Sequence, residues 1–364
     1  MKHRTITLIL ALLLVLPIIG GCSTQANSDE AQMTITDLYG REVTVPASVD
    51  SVVAIGPGAL RLYCYAGSTD YVVGIEEMDT GEPTGKPYMI ANPSLAELPV
   101  IGLGGPNNAP DPEKILTVKP DVIFSTYSAD AAAADELQAK TGIPVVAISY
   151  GKKALYDPSL YDSLELIGKI TGQTTKAQAA IDFIKQTEED LANRTKDIAD
   201  ADKPTVYVGG LGAKGAHGIE STQGQYALLD AINALNVVDE TGKSGSVMID
   251  KEKLLDWDPD FIFIDQGGYA SVLEDYQQNN AFYNSLSAVK NSALYAQLPY
   301  NYYSTNIGTA IADAYYLGKI LYPAAFEDID PAVKADEIYQ ALLGAAAYER
   351  MATDYGGFRE LNLE

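Results

Sequence analysis

The sequence predicts an α/β protein made of two Rossmann-like lobes with parallel sheets, joined by a bridging helix, with a ligand cleft between the lobes. Three observations predict it: an internal repeat, buried strand segments that alternate with helical segments, and a long helical stretch between the repeat copies. The 364 residues, 47% of them hydrophobic, are sufficient for two cores of ordinary size.

The internal repeat is the strongest pattern in the chain. The segments "DPEKILTVKPDVIF" (Asp111–Phe124) and "DKEKLLDWDPDFIF" (Asp250–Phe263) align without a gap, 139 residues apart, and share eight of fourteen residues. Such a long period is typical of two similar lobes, because solenoid repeats are much shorter.

Each repeat copy predicts a short helix that leads into a buried strand. Asp111 and Asp250 are good N-cap residues, and helix-forming residues follow them. Pro120 and Pro259 end the helices, and a run of β-branched and aromatic residues begins directly after each proline.

Six apolar segments have the length and composition of buried strands. They are "SVVAIG", "VIFST", "VVAIS", "TVYVG", "FIFID" and "ALYAQL". Because helical segments separate them, we expect parallel sheets with helical crossovers.

The composition of the segment between the lobes predicts helix rather than a flexible linker. Residues 157–203 begin with Asp-Pro, pause at Gly172 and continue in helix-favouring residues towards Pro204, without a Gly/Ser-rich stretch. This division predicts an N-terminal lobe at residues 33–156, bridging helices at 157–203 and a C-terminal lobe at 204–364.

The N-terminus predicts an exported, lipid-anchored protein. Residues 1–21 combine a basic start with an apolar stretch too short to span a membrane, which indicates a signal peptide. The sequence "IIGGC" resembles the lipobox of bacterial lipoproteins, which implies cleavage before Cys22, lipid on its sulfur and a polar tether over residues 22–32. The alternative is an ordinary secretion signal with an incidental cysteine.

Composition argues against several classes of function. A formal net charge of −24 makes the chain a poor partner for nucleic acid, which requires basic patches. With two histidines and two cysteines in the whole chain, we expect no disulfide, no histidine-rich metal site and no resident cofactor. A single histidine after the signal peptide, His217, makes a catalytic triad implausible, and we expect no enzyme activity.

Several segments together resemble the substrate-binding proteins of ABC importers for iron siderophores, haem and cobalamin. They are the hairpin-like "TITDLYGREVTVP", the first strand and helix "VVAIGPGALRLYCYAG", and the bridging "LGKITGQTTKAQAAIDFI". The resemblance implies an ABC permease and its ATPase as partners, with Glu113 and Glu252 docking on permease arginines. The alternative for both glutamates is a favourable interaction with the helix dipole.

Ligands of open parallel sheets bind beyond the carboxyl ends of the strands, so the residues that follow each strand are the candidates. "LPYNYYSTN" provides three tyrosines there, whose rigid apolar faces suit a large chelate. There are alternatives to ligand binding for these residues. The tyrosines could pack between the lobes, Arg61 could face outward on its helix, and His217 could be structural. The candidate ligand contacts are Arg61, Tyr127, Tyr150, Lys214, His217, Tyr269, Tyr300, Tyr302 and Tyr303.

The expected function is capture of an iron chelate or cobalamin and its delivery to the permease. One alternative is direct binding of ferric ion by tyrosine phenolates. Another is a dinucleotide-binding enzyme, because Gly210–Gly215 matches G-x-G-x-x-G; the sequence after it does not begin a helix, which disfavours this alternative.

Overall fold

The structure is a computed structural model that describes residues 31–127, 130–212 and 215–363. Its first element is a hairpin of two antiparallel strands, with Gly40 in the left-handed conformation at the turn. Asp37 ties this hairpin to the first lobe by accepting a hydrogen bond from the Ala147 N–H at 3.2 Å. The strands are β1 (Gln32–Thr36) and β2 (Glu42–Pro46).

The first lobe is a four-stranded, fully parallel sheet in the order β4-β3-β5-β6, with helices as crossovers. Three of its strands are those that the sequence predicts, and β4 is a short additional edge strand. The elements are β3 (Val52–Ile55), α1 (Ala59–Ala66), β4 (Val72–Gly74), α2 (Pro87–Ala91), α3 (Pro112–Val118), β5 (Val122–Ser125), α4 (Ala131–Thr141) and β6 (Val145–Ala147).

Two helices connect the lobes, α5 (Pro158–Ile170) and α6 (Thr174–Thr195). They separate at Gly172, which adopts a φ of +70°, as the pause in the helical pattern suggests. The longer helix, α6, packs against α1 of the first lobe and, further along the chain, against helices of the second lobe.

The second lobe contains a five-stranded sheet in the order β13-β12-β11-β7-β9, parallel except for the two-residue β13. The strands β8 and β10 form a separate antiparallel pair. The elements are β7 (Thr205–Gly209), β8 (Ser221–Gly224), α7 (Ala227–Ala231), β9 (Leu235–Asn236), β10 (Gly245–Met248), α8 (Lys251–Trp257), β11 (Phe261–Asp265), α9 (Tyr269–Tyr283), α10 (Ser287–Lys290), β12 (Leu294–Gln297), α11 (Ile307–Leu321), α12 (Pro331–Leu343), α13 (Tyr348–Tyr355) and β13 (Arg359–Glu360).

The two lobes share one continuous hydrophobic core. It runs from Val52 of the first sheet through Ile184 of α6 to Phe263 and Ile311 of the second lobe. Burying apolar surface from both lobes against the same helices opposes large rigid-body movement between them. No helix within the described ranges is long and apolar enough to cross a membrane.

The repeat has the same structure in both lobes. The Asp111 and Asp250 carboxylates cap α3 and α8 by accepting hydrogen bonds from the backbone N–H three residues on, at 3.1 and 2.7 Å. Asp121 and Asp260, the second shared aspartates, each bind the backbone N–H at the start of a neighbouring strand. The shared residues therefore fix the same helix-to-strand connection twice.

Candidate functional site

The candidate site lies where loops from the carboxyl ends of the two sheets meet. In the first lobe these loops follow β3, β4 and β6, and in the second lobe the tyrosine loop, Leu298–Asn306, follows β12. The two lobes lie close together at Gly58, where an added Cβ would lie 2.7 Å from the Tyr150 hydroxyl and 2.8 Å from Ser304. Glycine at this position therefore lets the second lobe pack on the start of α1.

Arg61 on α1 connects the lobes from a fully buried position. Its guanidinium donates to the Tyr302 carbonyl at 2.9 Å and to the Tyr150 hydroxyl at 3.3 Å. It also lies 5.0 Å from the centre of the Tyr88 ring, within cation–π range. The predicted outward-facing alternative for Arg61 is wrong, because its helix packs all round against protein; ligand contact by Arg61 stays a prediction.

Asp79 is a buried acidic side chain that interacts electrostatically with Arg61. Its carboxylate accepts a short hydrogen bond from the Tyr88 hydroxyl, whose ring lies under the Arg61 guanidinium. Burial raises the pKa of Asp79, while Tyr88, Arg61 and Lys86 act in the opposite direction. A buried charge requires such partners, since an unpaired one is very costly.

The three tyrosines of the tyrosine loop have different environments. Tyr300 is buried and packs against Tyr226, with ring centroids 6.2 Å apart. Tyr302 is half-buried, and its hydroxyl donates to the Met78 carbonyl of the first lobe at 3.2 Å. Tyr303 is 54% exposed. Tyr303 is thus the ring of this loop most accessible to a ligand.

Tyr303 also has an unusual backbone conformation. Its φ of +55° lies in the left-handed region, which costs a residue with a side chain about 1–2 kcal/mol. Its ring lies close to Gly105 of the first lobe and is perpendicular to the Tyr302 ring, 5.0 Å away between centroids. A strained residue with an exposed aromatic ring is more typical of a binding site than of a loop that serves only as a connection.

The remaining predicted site residues lie on other loops that follow strands of the two sheets. Tyr127 follows β5, Tyr269 begins α9 after β11, and half-buried His217 precedes β8. The Tyr269 ring has the Arg359 guanidinium 5.7 Å from its centre. Lys214 lies outside the described residues, and the contact of each of these side chains with a ligand stays a prediction.

Glu76, which the sequence interpretation missed, lies in the first lobe two residues after the end of β4. It is buried, and its carboxylate accepts a hydrogen bond from the Gly56 N–H at 2.7 Å. Burial, and to a smaller extent the Asp79 charge, raises its pKa to about 7, while the Gly56 N–H and the Tyr127 hydroxyl act in the opposite direction. The short apolar run "VVGI", followed by two glutamates, is the signal that marks this strand end.

Tyr127 lies beside Glu76. Its hydroxyl is buried and makes no hydrogen bond of normal geometry within the described part of the chain. Burial, and then the Glu76 carboxylate, raise the pKa of Tyr127, so its phenol stays protonated at neutral pH. The loops that follow β4 and β5 therefore place a buried acidic group beside a buried phenol hydroxyl.

A buried acidic pair lies beneath the tyrosine loop. Asp313 of α11 accepts a hydrogen bond from the Leu298 N–H at 3.0 Å, and its other oxygen has no hydrogen-bond partner among the described residues. Asp265 at the end of β11 accepts from the Gly267 N–H at 2.8 Å. Burial raises the pKa of Asp265 to about 7, and burial together with the Asp265 charge raises that of Asp313.

These raised pKa values predict that stability falls as pH rises from about 4 to about 7. In that window the folded protein holds a proton on Asp265 that the unfolded chain has released, so raising the pH favours unfolding. We expect Asp265→Asn to gain stability relative to the parent across this window, by at most about 4 kcal/mol.

Urea denaturation at pH 4.5, 6 and 8 measures the difference, with Asp182→Asn on the exposed face of α6 as the control. If the stability difference between parent and Asp265→Asn does not change with pH, Asp265 does not bind a proton in the folded state.

The glycine motif Gly210–Gly215 is not followed by a helix in the part of the chain that the structure describes. After Gly210, which follows β7, the described residues 215–220 contain no helix, and the strand β8 comes next. A dinucleotide site requires a helix N-terminus at this place. The described residues also contain no group of three or more His, Cys, Asp or Glu side chains arranged for a metal ion.

Glu113 and Glu252 occupy matching positions on α3 and α8, one in each lobe. Both side chains are exposed, in the first turn of their helices. A helix that leads into a parallel strand begins at the carboxyl edge of the sheet, so both glutamates lie on the side of the molecule where the loops of the candidate site meet.

Comparison with known proteins agrees with this arrangement. The molybdate-binding protein MolA of Haemophilus influenzae is 25% identical over 341 residues, which cover 87% of this chain and 93% of MolA. The structure of MolA bound to molybdate superposes with a TM-score of 0.65 at 21% identity, covering 86% of this chain and 98% of that one.

Two further relatives are an uncharacterized ABC transporter substrate-binding lipoprotein, YvrC, of Bacillus subtilis and the TroA-like periplasmic binding protein FepB of Veillonella parvula. YvrC is 22% identical over 296 residues, 78% of this chain and 87% of YvrC. The FepB structure has a TM-score of 0.64 at 23% identity and covers 91% of this chain and all of that one (100%).

The periplasmic binding protein profile matches residues 48–298, well over half of the chain, and includes both repeat copies. The resemblance found in the sequence is thereby confirmed at the level of the family. The chain belongs to the periplasmic binding protein family and is the substrate-binding component of an ABC transporter.

Proposed function

We propose that the protein captures an iron chelate, such as a siderophore or haem, or a cobalamin, outside the cytoplasm and delivers it to an ABC permease. The observation that carries the proposal is the tyrosine loop at the junction of the lobes, where the exposed ring of Tyr303 lies against Gly105 of the first lobe. Large flat ligands bind well to rigid aromatic rings with few polar groups.

The geometry disfavours direct binding of ferric ion by phenolates. Such a site requires several phenolate oxygens that converge on one point. Instead Tyr300 is buried against Tyr226, the Tyr302 hydroxyl donates to a backbone carbonyl, and Tyr303 is exposed. Burial also raises the pKa of Tyr300 and Tyr302, which opposes ionisation.

The charges also disfavour a small oxyanion of the kind that MolA binds. An oxyanion requires several converging N–H or O–H donors. Among the described residues, Glu76 is an acidic group, and Arg61 is fully buried with two of its nitrogens already donating to protein oxygens. A ligand that presents hydroxyl or amide donors to Glu76 suits this site better.

We propose further that Glu113 and Glu252 dock the two lobes on basic residues of the permease. Their support is the equivalent placement of two exposed carboxylates, one in each lobe, on the side of the molecule where the site lies. A signal peptide at residues 1–21, a lipid on Cys22 and a tether over residues 22–32 would keep the protein at the membrane surface. Of these segments, only residues 31–32 at the end of the tether lie within the described residues.

The proposal is tested on protein purified from membranes of its own host. Native mass spectrometry and a visible spectrum should show a bound siderophore, haem or cobalamin. A phenolate–iron charge-transfer band without an organic ligand, or bound molybdate, would contradict the chelate assignment. The intact mass should correspond to a chain that begins at Cys22 and carries lipid; an unmodified mass would show that the protein is not anchored in this way.

A further inference from the structure

The repeat places a large apolar side chain at the surface of each lobe at the same position. Leu116 on α3 is 42% exposed and Leu255 on α8 is 39% exposed. Their chain neighbours Ile115 and Leu254 are fully buried and already fill the space beneath each helix. A single exposed leucine requires no explanation, but the same exposure at equivalent positions of two copies does.

Each exposed leucine lies one helical turn after a glutamate proposed for docking. Glu113 and Leu116 are three residues apart, as are Glu252 and Leu255, and residues at this spacing share one face of a helix. Each lobe therefore presents a carboxylate and an apolar side chain side by side. We name these pairs the docking patches.

The segments that lead into the two helices also carry exposed apolar side chains. Met248, two residues before the N-cap of α8, is 59% exposed. In the first lobe Leu103 is 57% exposed, and the adjacent Gly102 lies against Asp111, the N-cap of α3. Exposed apolar surface that surrounds a charged group is typical of a protein interface rather than of a solvated face.

We propose that Leu116 and Leu255 are contact residues for the permease, each covering the ion pair that its neighbouring glutamate makes. This rests on the proposed docking of Glu113 and Glu252. The partner has a matching surface that occurs twice, a basic side chain bordered by apolar groups, as a permease with two similar membrane subunits provides. Excluding water from an ion pair strengthens it, and apolar neighbours do this in many interfaces.

The test measures stimulation of the purified permease–ATPase complex in lipid nanodiscs by increasing concentrations of the full binding protein. We expect the double variant Leu116→Ser, Leu255→Ser to raise the half-maximal concentration at least tenfold. Leu116→Met with Leu255→Met should restore the parent value, since methionine keeps the apolar contact. Val333→Ser on α12, where the side chain is 57% exposed, is the matched control and should change nothing.

A parallel variant, Glu113→Gln with Glu252→Gln, separates this inference from the docking proposal. If the glutamine variant raises the half-maximal concentration and the serine variant does not, the apolar contact is wrong and docking through the glutamates stands. If neither variant differs from the parent, both are wrong. Equal melting temperatures of the serine and methionine variants exclude unfolding as the cause of a loss.

Discussion

The double variant Glu113→Lys, Glu252→Lys is expected to abolish import while the isolated protein keeps its affinity for the ligand. Both side chains are exposed on short helices, and neither takes part in a hydrogen bond or an ion pair between described side chains. Replacing an attraction with a repulsion at a desolvated interface costs about 2–5 kcal/mol for each charge. The two changes together therefore weaken docking by a factor of about a thousand or more.

The measurement is uptake of the chelate by cells that carry the variant as their only copy, together with calorimetric titration of the purified protein. The control reverses two exposed glutamates outside the docking patches, Glu42 on β2 and Glu349 on α13. Normal uptake by the Glu113/Glu252 variant would refute the docking assignment. The loss of favourable helix-dipole interactions, about 0.3–1 kcal/mol each, should lower its stability only slightly.

The elements that local signals specify could be predicted from the sequence. Asp111 and Asp250 cap helices because a carboxylate three residues before a backbone N–H satisfies it, and this pattern is visible in any sequence. The six apolar runs form strands because short β-branched and aromatic runs fit a buried sheet, and this composition is equally visible in the sequence. By contrast, β9 and β13 contain two residues each, and strands so short have no periodicity to detect.

The candidate site was harder to predict because it depends on contacts between residues far apart in the chain. Arg61 donates to the Tyr302 carbonyl across 241 positions, and such long-range packing, rather than any local pattern, buries the arginine. Glu76 follows a three-residue strand, and its significance depends on the Gly56 N–H that reaches it from a neighbouring strand. The tyrosine loop was located correctly after its strand, but its three rings could not be distinguished without the packing.

The different exposure of Tyr300 and Tyr303 predicts that substituting these two residues has different effects on ligand affinity and on stability. We expect Tyr303→Ala to lower affinity for the ligand about ten- to a hundredfold, as loss of an aromatic interface contact does, with little change in stability because the ring is 54% exposed. Tyr300→Ala should instead destabilise the second lobe by about 3–5 kcal/mol, since it truncates a buried ring.

Calorimetric titration with the ligand recovered from the native protein, combined with thermal denaturation, measures both effects, and Tyr39→Ala on the hairpin is the matched exposed-tyrosine control. Unchanged affinity in Tyr303→Ala would remove this ring from the site. Tyr303→Phe then distinguishes the two modes of binding, because stacking survives loss of the hydroxyl and phenolate coordination does not. Parent-like affinity in the phenylalanine variant supports a chelate held by ring contact. Complete loss of binding would instead show that the Tyr303 oxygen is itself a ligand of iron.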